Sequence, residues 1–105
     1  MNKWNNKQTI ELFRTIVSLK NIDEAKRFFR DLWTEQELIE FGKRWQAAQM
    51  LSKEIPYSKI EQKTGLSSTT VARISKWLNR GRGGYQLMIN RISKHHQTPP
   101  ILGKG

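Results

Sequence analysis

The sequence predicts an all-α fold, on three observations. Apolar residues recur at three- and four-residue spacing through most of the 105 residues, no stretch alternates like a strand, and helix-start and helix-stop residues punctuate the chain. The clearest case is 57–79, YSKIEQKTGLSSTTVARISKWLN, where two short helical patterns meet at Gly65-Leu66-Ser67. A chain of this length is expected to form one domain, here over residues 1–94, with 95–105 as a flexible tail. Its core is modest, so two chains sharing one core would be a natural remedy.

Residues 1–6 are polar and expected to fray. A first helix is predicted over about 8–20, with Leu12, Phe13, Ile16 and Val17 on its inward face and Leu19 nearby. Asp23 is the expected N-cap of a second helix over 24–32, which would bury Ala25, Phe28, Phe29 and Leu32, with Trp33 at its end. Thr34-Glu35-Gln36-Glu37 is a capping box and opens the longest helix, about 35–52. In that helix Leu38, Phe41, Trp45 and Ala48 form the main stripe, while Ile39, Ala47, Met50 and Leu51 spread apolar surface around most of the circumference. Such a helix calls for burial on several sides, within its own core or against a second subunit. Ile55-Pro56 ends it.

The 57–79 segment reads as a helix-turn-helix. Gly65 can take positive φ and stop the first helix, and Ser67 can cap the second. Ile60, Leu66, Val71, Ile74 and Leu78 are spaced to bury one stripe. At about 100° per residue, Thr69, Arg73, Lys76 and Arg80 fall opposite that stripe. One Thr and three cations on the outer face suit a helix that enters a DNA major groove. Arg80-Gly81-Arg82-Gly83-Gly84 then makes a basic, glycine-rich connection. A last helix, about 84–94, would bury Tyr85, Met88, Ile89 and Ile92. From Lys94 onward periodicity is lost and two prolines follow.

Charge is divided unevenly. Residues 1–40 carry seven Lys/Arg and seven Asp/Glu, whereas residues 41–105 carry twelve Lys/Arg against two acids, Glu54 and Glu61. The whole net charge of +10 therefore lies in the part that holds the helix-turn-helix, which points to a polyanion partner. No run of 18 apolar residues is present, so no membrane span is expected, and no basic-then-apolar leader is seen. The absence of cysteine excludes disulfides and thiolate metal sites and fits a cytoplasmic location.

Ser68, Thr69, Thr70 and Arg73 are the expected base-edge contacts, on a recognition helix of about 68–79. Lys59, Lys63, Lys76, Arg80 and Arg82 are the expected phosphate contacts. Catalysis is not expected: the two histidines, His95 and His96, are adjacent in the predicted tail. Glu35, Glu37 and Glu40 crowd a helix start, where their charge suits the macrodipole. Two other classes remain open, an RNA-binding module and a transcription-machinery adaptor that holds a protein.

From Leu38 to Ile92 the chain resembles the Trp repressor-like family, and within it the YerC/YecD group of small regulators. FGKRWQAAQML, YSKIEQKTGLSSTTVARI and SKWLNRGRGGYQLMINR carry the resemblance. It implies a Trp-repressor-like helical bundle that assembles as an intertwined homodimer. It also implies a possible effector pocket at Lys43, Thr70, Arg73, Ile74 and Trp77. Thr70 and Arg73 match that pocket, while Lys43 stands for an arginine and keeps charge without the bidentate fork. Ile74 replaces a glycine and Trp77 a serine, and both crowd the cavity. Tryptophan is therefore not expected as co-repressor, and no cofactor is expected.

Overall fold

Six helices account for most of residues 2–97, the part of the chain that the computed structural model describes. They are α1 (Lys7–Val17), α2 (Ile22–Leu32), α3 (Glu35–Ser52), α4 (Tyr57–Thr64), α5 (Ser68–Arg80) and α6 (Gly84–Gln97). No strand occurs among the described residues, so the fold is all-α as the periodicity predicts.

Side-chain caps set the helix starts. Asn6 and Thr9 cap α1 reciprocally: the Asn6 side chain accepts from the Thr9 amide at 3.0 Å, and the Thr9 hydroxyl accepts from the Asn6 amide at 2.9 Å. The capping box of α3 forms in the same way, with Thr34 N donating to Glu37 at 2.9 Å and Glu37 N to the Thr34 hydroxyl at 3.1 Å. The expected cap of α2 requires correction. Asn21, extended at φ −156, accepts from the Glu24 amide at 2.9 Å, so the helix begins at Ile22 and Asp23 falls inside its first turn. There the Asp23 carboxylate favours the positive helix end without capping it.

The chain divides into two compact units, and the division falls between Leu38 and Ile39, inside α3. In the first unit, Phe28 meets Phe29 edge-on at 5.4 Å, and Phe29 stacks on Trp33 at 4.4 Å. None of its described residues is fully buried. Leu12, Ile16, Ala25, Phe28 and Phe29 are half-buried on the expected faces. Phe13, Val17 and Leu32, expected inward, stay 48%, 83% and 43% exposed. Two short helices and one turn supply too little apolar surface to enclose both faces.

The second unit holds the core. Ala47, Ala48, Ile60, Leu66, Val71 and Ile74 are buried together, and Trp45, Met50, Leu51, Ile55, Tyr85 and Ile89 pack against them. The paired alanines present little bulk, so the α3 backbone can come close to its neighbours. α4 packs on α5, and α5 on α6. Thr64 is the buried polar residue of this core. Its hydroxyl donates to the Ile60 carbonyl at 2.7 Å and accepts from the Leu66 amide at 3.2 Å, so burial leaves it satisfied. The Tyr85 ring lies nearly parallel to Trp45, centroids 6.2 Å apart. Burial pushes the Tyr85 phenol above its ordinary pKa, against the opposing pull of the Arg44 guanidinium.

α6 runs to Gln97, three residues past its expected end, so the backbone of His95 and His96 is helical. Its inward residues Tyr85, Ile89 and Ile92 are half-buried, while Met88, expected inward, is exposed. The remainder of the expected tail, 98–105, lies outside the described residues. No helix among the described residues is long and apolar enough to cross a membrane.

Candidate nucleic-acid interface

The corner between α4 and α5 is built from local signals. Gly65 takes φ +79 and donates its amide to the Glu61 carbonyl at 2.8 Å, closing α4. A Cβ at Gly65 would meet the Lys43 Nζ at 3.8 Å, an ordinary contact, so glycine is required there by backbone conformation and not by space. Ser67 is extended, and its hydroxyl accepts from the Thr70 amide at 3.2 Å, capping α5. The same hydroxyl donates to the Thr70 hydroxyl at 3.1 Å, so the Thr70 oxygen accepts one bond within the cap.

The faces of α5 then follow from its period. Val71 and Ile74 are 0% exposed and Leu78 is 6% exposed, forming the inward stripe with Ile60 and Leu66. Thr69, Arg73, Lys76 and Arg80 are all exposed, as expected of the opposite face. Ser68 is also exposed, at the amino end of the helix. Half-buried Thr70 lies on one flank together with Trp77, outside the outward row. On the other flank Asn79 donates to the Ser75 carbonyl at 2.8 Å.

The expected phosphate contacts gather in three places. Lys76 and Arg80 border an open depression of about 440 Å³ with Ala72, Ser75 and Asn79. Lys59 and Lys63 edge a groove of about 670 Å³ whose apolar floor includes Met50, Ile55 and Pro56. Arg82 stands apart, beside a groove of about 580 Å³ lined by Trp45, Trp77, Tyr85 and Met88. The connection that carries it needs glycine at 81, where a Cβ would lie 2.4 Å from the Trp77 carbonyl oxygen. The ion pairs formed among the described residues are Asp23–Arg27 and Glu40–Arg44. Lys59, Lys63, Arg73, Lys76 and Arg80 take part in neither, so among the described residues the exposed cations of α4 and α5 form no ion pair with a carboxylate.

The expected effector positions are dispersed in depth. Ile74 is wholly within the core, Lys43 is half-buried beside Gly65, and Arg73 points outward. Trp77 is 44% exposed and turns toward Trp45 and Tyr85. Ala72, Ser75 and Asn79 were not singled out by charge or motif. The helical period alone places Ala72 on the outward face, between Thr69 and Lys76. Among the described residues, no three His, Cys, Asp or Glu side chains come together as a metal site.

The all-α fold has counterparts among known proteins. Residues 7–93 match the family model described as Trp repressor protein. The YerC protein of Bacillus subtilis (strain 168) is 36% identical over 94 residues, which cover 90% of each chain. A crystal structure of a TrpR-like protein from Eubacterium eligens superposes with a TM-score of 0.84 at 36% identity, covering 89% of this chain and 96% of that one. A candidate Trp repressor from Staphylococcus aureus does so with a TM-score of 0.82 at 33% identity, covering 87% and 91%.

Proposed function

The chain belongs to the Trp repressor protein family, and from that membership we propose that it is a sequence-specific, duplex-DNA-binding repressor of transcription that grips a palindromic operator as a homodimer. The observation that carries this reading is the outward row of α5, where Thr69, Arg73, Lys76 and Arg80 stand exposed, without acidic partners among the described residues, above a buried apolar stripe. A helix so arranged can enter the major groove with its first turns at the base edges. Ser68, Thr69 and Arg73 are the base contacts, Arg73 pairing with guanine O6 and N7. Lys59, Lys63, Lys76, Arg80 and Arg82 meet phosphates and set the register.

Dimerisation is supported by apolar side chains that one chain leaves in water. Val17 is 83% exposed, Ile22 78%, Phe13 48% and Ile39 46%, apolar side chains that a second copy of the chain would cover. A two-fold dimer would place its recognition helices about 34 Å apart, one duplex turn.

Tryptophan is not the co-repressor in this reading. The resemblance places a glycine where this chain has Ile74, whose side chain is buried, and a serine where it has Trp77. Calorimetric titration with L-tryptophan is expected to give no saturable heat in the micromolar range. Micromolar binding would reverse this part of the proposal.

The test of the reading itself is a competition shift assay with duplex DNA, single strands and structured RNA, run on the wild-type protein and two variants. Duplex DNA is expected to compete best. Arg73→Ala should lose about 1–3 kcal/mol of discrimination at one guanine per half-site. Lys76→Ala should weaken binding evenly across sequences. Preferential competition by structured RNA would move the chain to the RNA-binding class.

A further inference from the structure

Resting on the proposed DNA-binding reading, we infer that Ala72 is a specificity-determining residue whose methyl, with the γ-methyl of Thr69 beside it, reads the 5-methyl of a thymine within two base steps of the guanine paired with Arg73. Four short side chains, Ser68, Thr69, Ala72 and Ser75, occupy the first two turns of α5 on and beside its outward face. Ser68, Thr69 and Ala72 are exposed. The long cations Arg73, Lys76 and Arg80 flank and follow this low strip.

An α-helix with its side chains is about 10–12 Å across, and the major groove is about 12 Å wide. The helix can therefore reach the groove floor only where its own side chains are short, and the strip centred on Ala72 is that place. Ala72 sits three residues after Thr69 and four before Lys76, so the three share one ridge. Arg73 follows Ala72 by about 1.5 Å along the axis, against about 3.4 Å per base step. A base read by one is thus adjacent to, or at most two steps from, a base read by the other.

The chemistry of the strip selects the base. An alanine methyl offers no hydrogen bond and accepts none, so it gains nothing from adenine N6, cytosine N4 or guanine O6. The thymine methyl is the apolar group that a base pair presents in the major groove. Thr69 adds a second methyl, and its hydroxyl remains available to a neighbouring edge. Ala72 also borders the open depression lined by Ser75, Lys76, Asn79 and Arg80.

The experiment begins with selection of bound duplexes from a random library by the wild-type protein. The enriched duplex is then remade with each thymine replaced singly by deoxyuridine, which deletes only the 5-methyl. The expected result is a thymine within two steps of a guanine in each half-site. Its deoxyuridine replacement should weaken binding by about fourfold per half-site, the effect of one methyl-sized apolar contact, while other thymines respond little. Ala72→Gly should lose most of that sensitivity, and Ala72→Ser should lose as much in a helix without the glycine cost. Enriched duplexes that tolerate deoxyuridine everywhere would overturn the inference and leave DNA binding standing. A wild-type protein that enriches no duplex would remove the DNA-binding reading and this inference with it.

Discussion

Replacing Ile74 with alanine should lower the unfolding free energy by about 2–5 kcal/mol, the range for a large aliphatic side chain removed from a packed core. Ile74 is 0% exposed and sits in one cluster with Ile60, Leu66 and Val71, so the deletion opens a cavity at the junction of α4 and α5. Small domains have total stabilities of only about 5–15 kcal/mol, and a loss of this size should cost roughly 10 °C or more in Tm. Thermal unfolding followed by circular dichroism, at one fixed chain concentration for all variants, measures it. Ile74→Val, which keeps the branched carbon, should cost about 0.5–1.5 kcal/mol. Lys76→Ala, on the exposed face two residues later, should stay within about 0.5 kcal/mol of the parent protein. An Ile74→Ala variant as stable as Lys76→Ala would mean that residue 74 borders open space, as a ligand cavity there would require.

The same residue shows what the sequence makes legible. The stripe Ile60, Leu66, Val71, Ile74, Leu78 was readable because period and turn chemistry agree over a short span, and all five are buried. Gly65 and Ser67 were readable for the same reason: positive φ and an N-cap are local demands answered by local residue types. Asn21 was missed because two cap-competent residues lie two apart, and the choice depends on where the helix begins, a matter of one hydrogen bond to Glu24. The open faces of α1 and α2 were not readable either. Periodicity reports which side of a helix is apolar, but whether a single chain covers that side depends on partners distant in sequence.

At the candidate interface the cations were conspicuous and the small residues were not. Arg73, Lys76 and Arg80 announce themselves by charge, whereas Ala72 acquires meaning only from its neighbours at three and four residues' distance. The aromatic groove was hidden for a different reason. Trp45 and Tyr85 lie forty residues apart in the chain and meet only through the packing of the second unit.

The largest effect should appear in the dependence of duplex affinity on salt. In the proposed reading each chain turns Lys59, Lys63, Lys76, Arg80 and Arg82 toward phosphates, so a dimer would make about ten contacts, each releasing close to one counterion from B-DNA. If six to ten of these engage, affinity should fall by about 10³–10⁵-fold between 50 and 200 mM salt. Fluorescence anisotropy of a labelled duplex over that range measures the slope. Lys76→Ala combined with Arg80→Ala removes four contacts per dimer and should flatten the log–log slope by about three to four units, whereas Lys20→Ala, in the charge-balanced first 40 residues, should leave it unchanged. The two kinds of contact separate in this measurement. Arg73→Ala should alter which duplex is preferred with a smaller change of slope, because a guanine edge carries no counterion to release. A slope shallower than about two for the parent protein would mean that its positive face does not lie along a phosphate backbone, whatever sequence it prefers.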